Sequence, residues 1–230
     1  IPTIQAAIDS AESGDGIRVF SGTYYEDNLL VDGKDLFFVS EGGLATIVSS
    51  VPGSNTGLTI RNVSASFSMT GFELRGYNRG VVIDSGDPTV WYSIIVGCGT
   101  GVEITGATSS PRVTYCVVDS CGTGVSVNDA YSGALVRNMT IVNCGTGIEL
   151  SSGTIEVRQN IIYGCDEGMS CSGGSGVVFC NNCWLNGVDF TGPCGASQII
   201  SALPRFCLEA GGAPNPYYLH EDSPCWAGNN

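Results

Sequence analysis

The side chains whose type and spacing best suit chemistry are Arg137 and Arg158, 21 residues apart, with Glu149 and Glu156 between them. An arginine can remove a proton or clamp a carboxylate, and a carboxylate can act as acid or base or bind Ca²⁺ through oxygen. These four are the catalytic candidates. Two stacked guanidinium groups repel unless an anion lies between them; a uronate, Glu149 or Glu156 would serve. Aromatic residues recur through the same stretch: Trp91, Tyr92, Tyr115, Tyr163 and Trp184. Rings that face outward offer flat apolar surfaces to sugars. The expected carbohydrate-binding set is Trp91, Tyr115, Arg137, Arg158 and Tyr163, with Tyr77 and Tyr131 in flanking loops. Glu103 and Glu149 share an outward column two coils apart, too far to share one ion. The single lysine, Lys34, reads as an exposed turn residue, and the single histidine, His220, as a surface or cap residue.

Eleven cysteines are many for a reducing compartment, and the odd count leaves at least one thiol over within a single chain. Cys180-x-x-Cys183 is the one such spacing, with no second pair or nearby histidine, so no structural zinc site is expected. A secreted or surface location follows. Nine Lys+Arg stand against 22 Asp+Glu, a net charge of −13. That field disfavours nucleic acid and anionic lipid. No apolar run approaches a membrane span, and the first residues do not read as a signal peptide. Charged residues are 13% of the chain and glycines number 33, a balance that argues against both disorder and a helical bundle.

The elements that position these residues come from a repeat. Cys98-Gly-Thr-Gly-Val-Glu-Ile, Cys121-Gly-Thr-Gly-Val-Ser-Val, Cys144-Gly-Thr-Gly-Ile-Glu-Leu and Cys165-Asp-Glu-Gly-Met-Ser-Cys align at steps of 23, 23 and 21 residues. An earlier copy begins at Tyr77 and a degenerate later one at Trp184, whose Gly187 falls 22 residues after Cys165. A second short strand precedes each cysteine. Short Val/Ile strands, glycine turns and a period near 22 predict an all-β, right-handed parallel β-helix of eight or nine coils. Cys98, Cys121, Cys144 and Cys165 then stack inward with parallel Cβ vectors, poor geometry for a disulfide, and read as a ladder of buried free thiols. Five positions earlier, Ser93, Cys116, Met139, Asn160 and Asn182 form another inward column, ending in an amide ladder.

Solenoid ends must be covered. Ile4, Ala7, Ile8 and Ala11 keep helical spacing behind Thr3, a suitable N-cap, so residues 1–15 should form a helical cap. One domain is expected, with coils over 16–190 and a proline-rich C-terminal cap over 191–230. A Cys207–Cys225 disulfide would staple that cap, with Cys194 available to Cys180 or Cys183. The chain ends without a final strand, which suggests a longer parent.

Pro2-Thr-Ile-Gln-Ala-Ala-Ile-Asp-Ser-Ala, Gly14-Asp15 and Ile17-Arg-Val-Phe-Ser-Gly-Thr-Tyr-Tyr-Glu26 resemble the opening of pectin-lyase-like β-helix proteins. The Asn-Cys-Gly-Thr-Gly-Ile repeat at 143–148 and the Tyr217-Tyr-Leu-His-Glu-Asp-Ser-Pro-Cys225 ending are most similar to uncharacterised bacterial secreted members. The resemblance implies the fold and leaves activity open, because that superfamily includes lyases, hydrolases, esterases and non-enzymes. The Gln-Ala-Val-Ala-Leu segment of the esterases and the Asp-Asp, Gly-His-Gly and Arg-Ile-Lys motifs of the polygalacturonases have no match here. The expectation is a secreted module that engages polysaccharide or builds extracellular structure, without catalysis and without a cofactor. The alternatives are a lyase or hydrolase of acidic glycans, with Ca²⁺ if a lyase, and a self-associating assembly subunit.

Overall fold

A computed structural model describes residues 3–106, 110–129, 133–173, 177–197 and 199–204. His220, Tyr131, Cys207 and Cys225, and with them the expected Cys207–Cys225 staple, lie outside the described residues. The chain winds as a right-handed β-helix whose coils each present three short strands. One coil shows the plan: Thr89–Trp91 on the first face, Ile94–Val96 on the second and Thr100–Ile104 on the third. The third face is an eight-stranded parallel sheet, so about seven turns separate its first and last strands, slightly fewer than the eight or nine coils expected. The first two faces merge into one 15-stranded sheet, because the long early strands Gly16–Tyr25 and Phe37–Val48 run across both. In the central coils equivalent positions such as Arg79, Thr100, Thr123, Thr146 and Glu167 recur 21 or 23 residues apart.

Inward residues of the three faces form one continuous column of core. Val31, Ile60, Ile83, Ile104, Val127 and Leu150 stack directly on one another, all buried. Near the N-terminal end the rings of Phe38 and Phe72 stack at 4.2 Å. The last glycine of each Cys-Gly-Thr-Gly repeat is required by close approach. A Cβ on Gly101, Gly124 or Gly147 would sit 2.6, 2.5 or 2.4 Å from the carbonyl oxygen of the glycine one coil on.

The corner between the first and second faces needs one residue in the left-handed region. Gly71 serves in one coil, and Tyr92, Tyr115, Asn138, Gln159 and Cys180 take φ of 45° to 56° in the next five. The following residue turns inward: Ser93, Cys116, Met139, Asn160 and then Asn181. Asn181, rather than Asn182, continues the column, since Ile161 pairs with Asn182. Asn160 accepts from the Met139 N–H at 2.9 Å and donates to the Val136 carbonyl at 3.1 Å and to Asn181 Oδ1 at 3.0 Å. Ladder amides thus bond backbone groups at a corner where strand pairing is interrupted.

The helix Ile4–Ser10 plugs the first coil, with Thr3 accepting from the Ala6 N–H at 3.1 Å. Ile4 and Ile8 are buried beneath it. Gln5 substitutes for a neighbouring strand: its Oε1 accepts from the Leu30 N–H at 2.8 Å and its Nε2 donates to the Leu30 carbonyl at 3.2 Å. Glu26 accepts from the N–H groups of Ile4 and Gln5, where the unsatisfied donors of a helix start favour a carboxylate. Lys34 is more than an exposed turn residue. Its Nζ donates to the carbonyls of Ile8 and Asp9 at 3.0 and 2.8 Å and pins the end of the helix. At the other end Cys194 bonds to Cys171, with Cα atoms 5.9 Å apart, rather than to Cys180 or Cys183. Cys171 lies on a third-face strand, so this link ties the segment leaving the last coil back to the solenoid.

Candidate functional site

Outward residues of the first face stack as directly as the core does. Trp91, Thr114, Arg137, Arg158 and Phe179 form one column over five successive coils. The next residue of each coil is the left-handed corner residue, so Tyr92 and Tyr115 project beside that column. Their rings stack at 5.1 Å and 22°, and Tyr92 meets Trp91 at 5.2 Å. Trp91, Tyr92 and Tyr115 are 38%, 54% and 46% exposed. The result is an aromatic ledge at one end of the face that gives way to arginines below it. Arg137 Nε donates to Gln159 Oε1 at 2.6 Å, and among the described residues no carboxylate pairs with it. Arg158 pairs with Glu156 of its own strand and lies 5.7 Å above the Phe179 ring. With Arg112 at the same face and Arg18 in register at its N-terminal end, at least four of the nine cations lie on one side of a chain whose net charge is −13.

The structure therefore brings together Trp91, Tyr115, Arg137 and Arg158, and adds Tyr92. It does not bring the fifth candidate, Tyr163, to them. Tyr163 lies in register with Trp184 on the second face. That register also corrects the alignment of the last repeat: Trp184 matches Tyr163, and Asn186 rather than Trp184 takes the place of Cys165. Tyr77 does not flank the strip either; it is fully buried and donates to the Glu26 carbonyl at 2.6 Å. The sequence did carry a signal for Tyr92. Tyr92 and Tyr115 are 23 residues apart and each precedes an inward corner residue, but nothing in periodicity tells that their backbone turns left-handed.

The four catalytic candidates are divided in the same way. Arg137, Arg158 and Glu156 share the first face, whereas Glu149 lies on the third. Glu103, Ser126 and Glu149 do form one outward column. Their polar groups are already engaged: Glu103 with Arg79 at 3.3 Å and Asn128 at 3.2 Å, and Glu149 with Ser126 at 3.4 Å. Such a column does not make the multi-oxygen cage that Ca²⁺ takes. Among the described residues no group of three or more His, Cys, Asp or Glu converges on one point to hold a single metal ion. A groove of about 560 Å³ opens at the N-terminal end, between the helix and the first strand, lined by Ile4, Ala7, Ile17, Phe20 and Tyr24 among others. None of the candidate residues borders it.

The corner between the second and third faces carries the thiols. Cys98, Cys121, Cys144 and Cys165 are buried and unbonded to other cysteines. Each Sγ approaches the carbonyl two residues earlier, at 3.6, 3.5, 3.3 and 3.8 Å. Cys121 Sγ accepts from the Cys98 N–H at 3.4 Å, and one coil beyond the column Asn186 Oδ1 accepts from the Cys165 N–H at 2.9 Å. Hydrogen bonds between successive thiols hold Cys121 below the ordinary thiol range and push Cys144 above it. Elsewhere, burial alone pushes the Cys116 thiol up to about 12.

A family profile described as a right-handed β-helix region matches residues 53–201. The chain belongs to that family. No curated protein matches it. Among the described residues no helix is long and apolar enough to cross a membrane.

Proposed function

We propose that this chain is an extracellular β-helix module of pectin-lyase-like, bacterial type that holds polysaccharide along its first face. The observation that carries the reading is the exposed Tyr92–Tyr115 stack beside Trp91. The left-handed conformation costs a residue with a Cβ roughly 1–2 kcal/mol, and bulky rings have no local reason to be there when Gly71 or Asn138 meets the same need. Strain kept at a surface position points to use. One coil step is roughly 4.8 Å, close to the advance of one hexose in an extended glycan, so successive sugars can meet successive coils. The Cys171–Cys194 disulfide is compatible with an oxidising compartment.

The test is retention on a panel of neutral and acidic polysaccharides. Tyr92→Ala and Tyr115→Ala should each weaken binding about five- to tenfold. Phe20→Ala, an equally exposed ring at the N-terminal end, should change nothing. Equal binding by all three variants would remove the strip from the account. Arg137, which has no carboxylate partner among the described residues, favours a second reading in which an acidic glycan is cleaved on this face. Unsaturated uronate absorbance or new reducing ends from any glycan of the panel, lost in Arg137→Ala, would establish that reading over simple retention.

A further inference from the structure

We propose that the cysteine column is a binding site for a soft monovalent d¹⁰ cation of the Cu(I) class, held two-coordinate between thiolates of successive coils. Strand register places Cys98, Cys121, Cys144 and Cys165 directly above one another. All four are thiols, and none is consumed in a disulfide. The coil step is roughly 4.8 Å. A thiolate–metal bond of about 2.3 Å, the Zn–S value, gives about 4.6 Å for two collinear bonds, close to the coil step, so an ion takes the place of a thiol–thiol hydrogen bond by rotation of the cysteine side chains and without a change in coil spacing. The column converges on no common point, which suits pairwise linear ligation rather than a tetrahedral cage. Thiolate ligands select soft ions over the hard cations that carboxylates bind.

Each ion forms two S–M bonds and displaces a proton to solvent from each thiol it newly engages. The ion enters already monovalent, so no electron is transferred. One ion between two thiolates, or three ions across four sulfurs, leaves a single negative charge. The Cys98 N–H already directed at Cys121 Sγ helps to offset it. Asp119 and Asp166 act through their charge on Cys121 and Cys165 and favour an incoming cation. Access is through the corner itself. Each of the four keeps 3–4% exposure there.

The probe is Ag(I), which is d¹⁰ and does not redox-cycle, added to the reduced chain in chloride-free buffer. The protein is then desalted through excess methionine as a competing thioether. The expected result is about two to three silver ions retained per chain, near-ultraviolet thiolate-to-metal absorbance and a raised unfolding midpoint. The double variant Cys121→Ser with Cys144→Ser breaks every adjacent pair and should lose this retention. Cys116→Ser with Cys183→Ser, buried thiols off the column, should keep it. If the first pair does not fold, Cys121→Asn with Cys144→Asn replaces it, using the side chain that Asn186 supplies at the same position. Wild-type protein that retains no silver, or a column variant that retains as much as wild type, would overturn the site and leave the thiols as small core fillers.

Discussion

At the scale of single residues, a position on which the proposed binding rests is also one where the backbone is uncomfortable. Tyr115 holds φ 55° between Tyr92 and Asn138 in the same corner column. Asparagine tolerates that region better than tyrosine because its short polar side chain bonds locally. Tyr115→Asn is therefore expected to leave stability unchanged or raise it by up to about 1 kcal/mol, while binding to the retained glycan falls as in Tyr115→Ala. Urea denaturation and a retention assay on the same sample measure both. A variant that loses several kcal/mol would mean that the ring serves packing rather than recognition. The same logic separates Arg137 from Arg158. Among the described residues one is bonded to the neutral Gln159, and the other is tied to Glu156 and Phe179, so their loss should affect a bound anion unequally.

Elements in this fold are too short to stand alone, and the corners decide whether they stack. A three-residue strand such as Ile161–Tyr163 makes few ladder bonds, and the backbone groups at its corner find partners in Asn160 and Asn181. Asn160 is buried and bonded to Met139, Val136 and Asn181 at once. Replacing it with leucine strands a buried N–H and at least one carbonyl, at roughly 1–3 kcal/mol for each group left unpaired. Asn160→Leu is expected to lower stability by about 2–5 kcal/mol, read from denaturant midpoints, and Asn160→Asp by less below the carboxylate pKa. Indifference to leucine would show that water satisfies the corner instead.

At the scale of the whole molecule, buried thiols away from the cysteine column and one buried phenol shape the response to alkaline pH. Burial pushes the thiols of Cys116 and Cys183 up to about 12, against an ordinary value of about 8.5, and raises the Tyr77 hydroxyl as well. In the folded chain Tyr77 keeps a proton that the unfolded chain releases above about pH 10, and the two thiols keep protons that it releases above about pH 8.5. Stability they contribute is thus complete below that pH and is lost as pH rises toward 12. Each such group changes stability by up to about 1.4 kcal/mol per pH unit in that window. Urea midpoints are expected to fall between pH 8.5 and pH 10 under anaerobic conditions, above the range in which the lowered Cys121 thiol still changes stability. A flat profile to pH 10 would mean that the thiols are solvated.

Much of this was legible in the chain before any coordinates. The Cys-Gly-Thr-Gly spacing gives coil length because each coil must return to the same register, and Ile4, Ile8 and Thr3 give the cap through helical spacing. The inward cysteine column follows from the same periodicity. What periodicity cannot carry is the neighbour across a corner. Whether Glu149 shares a face with Arg137, whether Tyr163 joins Trp91, and whether Asn181 or Asn182 faces the core all turn on one or two residues of a left-handed corner. A shift of one residue there sends a side chain to the opposite side of the sheet. The pairing of Cys194 with Cys171, and of Lys34 with the helix carbonyls, depended on proximity between segments 23 and about 25 residues apart. Sequence therefore determined the coil and its core, which need only repeating residue types. Tertiary structure decided the site, because a surface strip is made by side chains one full turn apart.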